Sequence, residues 1–426
     1  MSFRLNRAIG LGAALLALAW VLPEATQNAR HLAPGSKAAN WPQYGFDGGH
    51  SNFYPYEKSI GKQNVTQLQL SWSTNPNVIQ SEGYVADKGA IYALSANDGK
   101  LYAVNVQDGS VRWSTSQLLG NGVPGDSVPA VAGKVVIVPC SVANGDPSPG
   151  GLCGIRASDG SIKWNANCPV SVNCGVSSPA IDGKLAFYHI SEIISDANQE
   201  FLAAVNAKSG KLVWDVATSP YHCPDTGRNN DLPVPVANGH AYEVFSCQGQ
   251  QGNLLEVCAV QESSGTSDWC TDIDDQYASV IEANGTLYVT AYGPSGPYAV
   301  ALDEATGAAK WTSARFADVP GATAATKNTL YIALYHGQGL LALSANTGAQ
   351  LWKYTGGYAS MVAANGLVYT STCCSGGGTA LIALDGKTGA KLWQSSEGQG
   401  GVNATPIILN DTIYAGCYYI CGYRVP

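Results

Sequence analysis

Charge is scarce in this sequence: Asp, Glu, Lys and Arg make up 13% of 426 residues, roughly half the usual share. Long surface helices and coiled coils need charged faces, so both are disfavoured. Cations are the scarcer sign, 23 Lys and Arg against 31 Asp and Glu, for a formal net charge of −8. No run of basic residues gathers anywhere in the sequence, which disfavours nucleic acid as a partner, because phosphate binding needs clustered Lys and Arg. Beyond residue 22 there is no apolar run long enough for a membrane-spanning helix. Several chemistries lack their motifs as well. There is no Gly-x-Ser-x-Gly elbow, no phosphate loop, no His-Glu-x-x-His, and no Cys-x-x-Cys-His for covalent haem.

The N-terminus has a different character. Arg4 and Arg7 precede an apolar run from Ala8 to Leu22, short for a bilayer span and typical of a secretory leader. Residues 1–29 therefore read as a signal peptide cut near Ala25 or Ala29, or as an uncut N-terminal anchor, and 30–40 as a linker. Twelve cysteines in an exported chain read as disulfides formed in an oxidising, secreted or periplasmic setting. Local pairs are expected between Cys140 and Cys153 and between Cys168 and Cys174. Cys258 and Cys270 are the best case, since they lie equidistant from Ser264 in a hairpin turn.

The body of the chain is a repeat. Trp recurs at Trp72, Trp113, Trp164, Trp214, Trp269, Trp311, Trp352 and Trp393, at intervals of 41, 51, 50, 55, 42, 41 and 41 residues. Four residues before each Trp from 113 onward stands Gly109, Gly160, Gly210, Gly265, Gly307, Gly348 or Gly389. Ten before stands Ala103, Gly154, Ala204, Ala259, Ala301, Ala342 or Ala383. Such periods suit a four-stranded propeller blade. Dipeptides such as Asp108-Gly109 and Thr347-Gly348 mark its tight hairpin, where Gly supplies a positive φ. The small residue is expected to leave room for an indole from a neighbouring blade. After Trp393 the chain supplies three more strands, near 406–409, 412–415 and 422–425, while Leu68 to Thr74 is a lone strand carrying Trp72. Joining them predicts an all-β, eight-bladed propeller over 41–426, its four-stranded antiparallel blades closed by the N-terminal strand.

The run Ala301-Leu302-Asp303-Glu304-Ala305-Thr306-Gly307-Ala308-Ala309-Lys310-Trp311, and its counterparts, resemble the tryptophan-docking repeat of the pyrroloquinoline quinone propeller superfamily. Trp41-Pro42-Gln43-Tyr44-Gly45, with Asp47, His50 and Ser51, resembles the opening of quinoprotein alcohol dehydrogenases. The resemblance implies one of two functions. One branch oxidises alcohols or sugars with pyrroloquinoline quinone and calcium; the other, typified by the outer-membrane assembly propeller, binds partners and does no chemistry. In the catalytic branch a disulfide of adjacent cysteines covers the quinone. Cys373-Cys374 is the candidate here, although it comes late in the chain where the family has it early; bonds to other blades through Cys417 and Cys421 are the structural alternative. Asp272, Asp274 and Asp275 are candidate calcium ligands, against the plainer reading of solvated loop acids.

Function is expected on the face opposite the tight turns, where Ser141–Leu152, Ser191–Glu200, Asp215–Leu232 and Cys247–Asn253 read as long loops. His222, Cys223, Asp225, Arg228 and Asp231 share the longest, and His336 lies on another. The favoured function is an extracytoplasmic binding or scaffolding module whose protein, small-molecule or carbohydrate ligand meets this face. A quinone- and calcium-dependent dehydrogenase is the alternative. A carbohydrate or cell-wall binder is the second, with Tyr221, Tyr292 and Tyr335 as its exposed aromatics.

Overall fold

The computed structural model describes residues 40–426 except 75–80, 82, 120–126, 142–149, 169–173, 195–196, 218–232, 250–251, 274–276, 336–338, 357–359, 372–379, 397–403, 410 and 417–419. In 174, 192–194, 197–199, 246–249, 252–254 and 277 only the backbone is described. Helix is confined, among the described residues, to one short turn, Val65–Gln67. Everything else regular is strand, and the strands form eight sheets.

Each sheet is one blade. Blade 1 shows the pattern: Tyr84–Asp87, Ala90–Leu94, Leu101–Asn105 and Val111–Ser114, antiparallel throughout. Its first three strands are buried and its fourth is largely exposed, so burial falls from the channel outward. Blades 2 to 7 span 130–167, 174–217, 236–273, 277–312, 320–354 and 361–394. Blade 8 is composite: Ile407–Leu409, Thr412–Gly416 and Ile420–Arg424 are completed by Gln69–Ser73, which pairs with Ile420–Arg424. The two ends of the chain thus close the ring, as the repeat count predicts.

The blades are locked together by tryptophan. In six of them the indole Nε1–H donates to a backbone carbonyl of the next blade at 2.8 to 3.2 Å; Trp311 to Ala345 and Trp352 to Gly386 are examples. The face of the ring lies on the glycine of that blade's last hairpin. A Cβ on any of Gly109, Gly160, Gly210, Gly265, Gly307, Gly348 or Gly389 would come within 2.4 to 2.9 Å of the preceding blade's indole. These glycines also sit at φ of 70 to 75°. One residue type therefore answers two demands, left-handed backbone and close approach.

The small residue ten positions back has a different partner from the one expected. Ala103, Ala204, Ala301 and their equivalents lie directly across from the tryptophan of their own blade. They make room on the near side of the indole, while the glycine makes room on the far side. At Gly154 the space is larger and Trp164 moves into it, to within 2.1 Å of where a Cβ would stand. Its Nε1, unlike the other six, reaches no acceptor among the described residues. On the inner side of most blades an aromatic tilts against the same ring, as Tyr92 does on Trp113 and Phe187 on Trp214, with centroids 5.8 and 6.0 Å apart.

Two of the expected loops are strand. Ser191–Glu200 and Cys247–Asn253 fall within hairpins built from Leu185–Ile194 with Ala197–Asn206 and from His240–Gly249 with Gly252–Gln261. Pairing simply continues to the tips, at Ile194 opposite Ala197 and Gly249 opposite Gly252. Strands of ten residues reach about 34 Å, so both hairpins extend well beyond their neighbours.

Gly348→Ala is expected to cost about 2–4 kcal/mol, since it adds a clash with Trp311 to positive-φ strain. Gly133→Ala, at a φ of 65° but with nothing within 4 Å of the new Cβ, should cost about 1 kcal/mol. Urea unfolding compares the two. Equal losses would show that the indole does not press on the glycine.

Candidate functional site

The opening segment forms a strap across one mouth of the channel. Inner strands of a propeller leave backbone groups facing the axis, and those groups need partners. Trp41 exchanges two hydrogen bonds with Ala86 of blade 1, and Pro42 accepts from Val131 of blade 2. The Gln43 amide pairs with both backbone groups of Ile181 in blade 3. Gly48, Gly49, Ser51 and Asn52 then accept from Val236, Glu282, Ala325 and Ala363, in blades 4 to 7. Phe53–Tyr54 ends the circuit by pairing parallel to blade 7. The strap thus visits seven blades in order. Each contact lies next to the first hairpin turn of its blade, so the mouth it covers is the one on the tight-turn face.

Inside the strap, Tyr44 and His50 meet edge to face with ring centroids 5.4 Å apart. Burial holds the His50 imidazole neutral, its pKa pushed down to about 3. Asp47 fixes the curve by accepting from the Ser51 N–H at 2.8 Å and the Ser51 hydroxyl at 2.6 Å. The two extended hairpins turn at the opposite end of their blades.

A polar cluster lies at the base of those hairpins. Side chains alternate along a strand, which turns His189 and Glu200 of blade 3 and Glu243 of blade 4 toward one another across the interface between the blades. His189 Nε2 is 3.5 Å from Glu243 Oε1 and 3.9 Å from Glu200 Oε2. The three side chains are only 5%, 6% and 13% exposed. The His189 backbone is held in turn by Ser177, whose hydroxyl accepts from its N–H at 2.9 Å. The imidazole thus lies between carboxylates of both blades where the two hairpins begin. Nothing in the sequence pattern singles these residues out alone. Aligning the repeats does: two positions after the aromatic that stacks on tryptophan, His189 stands where other blades have Leu94, Val244, Thr290 and Ala333.

A second set of acids lies at the strap end. Glu304 Oε1 accepts from the Tyr242 hydroxyl at 2.7 Å and the Asn238 amide at 2.5 Å. Beside it Glu282 is buried, and burial, with Glu304 second, pushes its pKa up to about 8. Glu262 is raised for the same reason, burial first and then the neighbouring Asp182.

Of the expected cofactor residues only Asp272 lies among the described residues. Asp272 is exposed on the outermost strand of blade 4, across from Glu256, so it faces the outer wall. Asp274, Asp275, Cys373, Cys374, Cys417, Tyr221, His336 and the 222–231 set fall outside the described residues. Tyr292 and Tyr335 are exposed at the loop face. Among the described residues, the metal-type donors that converge within 4.8 Å are Glu256, Cys258 and Cys270, and those two cysteines are joined in a disulfide. A second disulfide joins Cys140 to Cys153, and Cys168 and Cys421 are disulfide-bonded too. Among the described residues no three carboxylates converge at a distance suited to calcium.

Glu282 has a consequence for stability. Its folded pKa is raised above the ordinary carboxylate value of 4.5 to about 8. The folded chain therefore holds a proton that the unfolded chain releases, and stability falls as pH rises between those values. Glu282→Gln keeps the acceptor for the Gly285 N–H and removes the titration. The variant is expected to be more stable than the native chain at pH 8 and to lose less stability between pH 5 and 8, read from urea midpoints. Parallel pH profiles would contradict this.

Comparison with known proteins agrees with the architecture. The family model described as outer membrane protein assembly factor BamB matches residues 62–313 and 295–420. No curated protein sequence matches this chain. Among solved structures, quinohemoprotein alcohol dehydrogenase ADHIIG from Pseudomonas putida HK5 is similar over 91% of this chain and 80% of its own, at 13% identity and a TM-score of 0.66. The quinohemoprotein alcohol dehydrogenase from Comamonas testosteroni is similar over 92% and 78%, also at 13% identity and 0.66. BamB from Moraxella catarrhalis is similar over 84% and 97%, at 15% identity and a TM-score of 0.55. At such identities the structural likeness speaks for fold alone. The family match covers nearly every blade, and the chain belongs to the outer membrane protein assembly factor BamB family, in the pyrroloquinoline quinone-type propeller superfamily.

Proposed function

We propose that this chain is an exported binding propeller that presents its long-loop face to a protein partner. The observation that carries the reading is the difference between its two faces. One mouth is covered by a strap bonded to seven blades. The other is flanked by two extended hairpins from adjacent blades. Rigid scaffolds carry function on the face with the longer excursions. Extended strand pairs are a common means of docking to a protein surface. The disulfides suit an oxidising compartment, and residues 1–29 supply the export signal or anchor. The family is named for an assembly factor, which favours a protein partner over a small substrate.

Two measurements on the full chain test this. A photo-crosslinking residue in place of Tyr335 should give a discrete protein adduct, and shortening both hairpins by their outer residues, 192–199 and 247–254, should abolish it. Pyrroloquinoline quinone with calcium should produce no saturable spectral change and no dye-linked oxidation of alcohols or sugars. Turnover with the quinone would overturn the reading in favour of a dehydrogenase. Retention on polysaccharide without any protein adduct would overturn it in favour of a carbohydrate binder.

A further inference from the structure

The tight-turn face is not uniform in charge. In blades 1 to 3 its hairpins, with the fourth-strand residues leading to each tryptophan, carry Lys88, Arg112, Lys134, Arg156, Lys163, Lys184, Lys208 and Lys211, all exposed. Against these eight cations the same positions hold four carboxylates: Asp87, Asp108, Asp159 and Asp182. The corresponding positions of blades 4 and 5 reverse the balance, with Glu262, Asp268, Glu282, Asp303 and Glu304 against Lys310. Of those acids Glu282 and Glu304 are buried. In a chain with a net charge of −8, this sector thus carries twice as many cations as carboxylates, although as many exposed cations again lie elsewhere, Lys353, Lys387 and Lys391 of blades 6 and 7 among them.

Two further features coincide with that sector. Exposed apolar side chains occupy the position two before tryptophan in the same three blades and in blade 8 beside them: Val111, Ile162, Leu212 and Leu70, between 38% and 48% exposed. In blades 4 to 7 that position is Ser267, Ala309, Gln350 and Lys391. The second feature is the path of the chain. The N-terminal apolar stretch, Ala8 to Leu22, leads into the fold at Asn40 and Trp41. There the Asn40 carbonyl oxygen of the amide accepts from the Lys88 N–H at 3.4 Å, and Trp41 pairs with Ala86. Both contacts are in blade 1. The seventeen residues from 23 to 39, even fully extended, span at most about 60 Å.

We infer that the tight-turn face of blades 1 to 3 docks on an anionic lipid membrane. Exposed lysines gain from the negative surface potential of anionic headgroups, and apolar side chains among them enter the interfacial layer. A bilayer that holds the stretch Ala8 to Leu22 lies within reach of this sector. The orientation directs the long-loop face away from the lipid. The inference goes beyond partner binding and stands without it, because the two use opposite faces.

The test is flotation of the full chain with vesicles of phosphatidylcholine alone or with added phosphatidylglycerol. Ala8 to Leu22 is present in every variant, so differences report on the folded surface. Lys134→Glu/Lys184→Glu/Lys208→Glu changes the sector. Lys353→Glu/Lys387→Glu/Lys391→Glu makes the same change of charge on blades 6 and 7. Partition to the anionic vesicles should exceed that to phosphatidylcholine and fall with salt; the first triple variant should lower it by about tenfold or more, and the second by less than about twofold. Thermal melts establish that the variants fold. If the reversals unfold the chain, the glutamine triple at the same three positions should give the same ordering with a smaller loss. Equal partition to both vesicles, or equal losses in the two triples, would overturn the inference. Binding to soluble polyglutamate as strong as binding to vesicles would assign the surface to an acidic protein instead.

Discussion

The structure depends on a single contact made repeatedly: an indole clamped between the alanine of its own blade and the glycine turn of the next. Blades are twisted sheets that cannot bury both faces alone. Each indole supplies a broad apolar plate, and in most blades a hydrogen bond to the neighbouring carbonyl fixes its angle. The contact sets the rotation from one blade to the next at seven junctions, and an eighth of different build returns the ring to its start. Trp393 faces the one junction that has no hairpin, because blade 8 is built from both ends of the chain. There it stands edge-on to Tyr423, 5.8 Å away, and the turn Val65–Gln67 lies alongside Lys391–Gln394 in place of the missing hairpin.

This contact is why so much of the fold was legible in the sequence. Trp, Gly and Ala at fixed offsets are each demanded by sterics, so they recur, and the recurrence counts the blades. The composite blade follows from the strands left over at the two ends. What the pattern could not settle was which side of the indole the small residue faces, since sequence offset does not say whether a neighbour lies within or beyond the sheet. The extended hairpins of blades 3 and 4 were read as loops because their outer stretches, such as Ser191–Glu200, are polar and alternate weakly. Backbone pairing continues through them to the tips.

The candidate site was much less visible. His189, Glu200 and Glu243 are separated in sequence, have no motif, and come together only where two blades meet. The strap is an intermediate case. Its opening residues were recognisable by resemblance, yet their task, supplying one inner strand after another with a hydrogen-bond partner, appears only in three dimensions. Gly48 and Gly49 show why the segment is rich in glycine: a Cβ on either would come within 2.2 or 2.4 Å of the carbonyl oxygen of Val236 or Glu282. The result is a ring with two unlike faces, one strapped and partly cationic, the other flanked by two extended hairpins.

The claim that the chain ends close this ring is tested most directly by native-state hydrogen exchange. If Gln69–Ser73 is a full member of blade 8, its amides and that of Thr74, which donates to Ile420 at 2.9 Å, will exchange as slowly as those of Gln350–Tyr354 in blade 6. Exchange of the 69–74 amides by local fraying, orders of magnitude faster than in blade 6, would mean that the ring is not closed in this way.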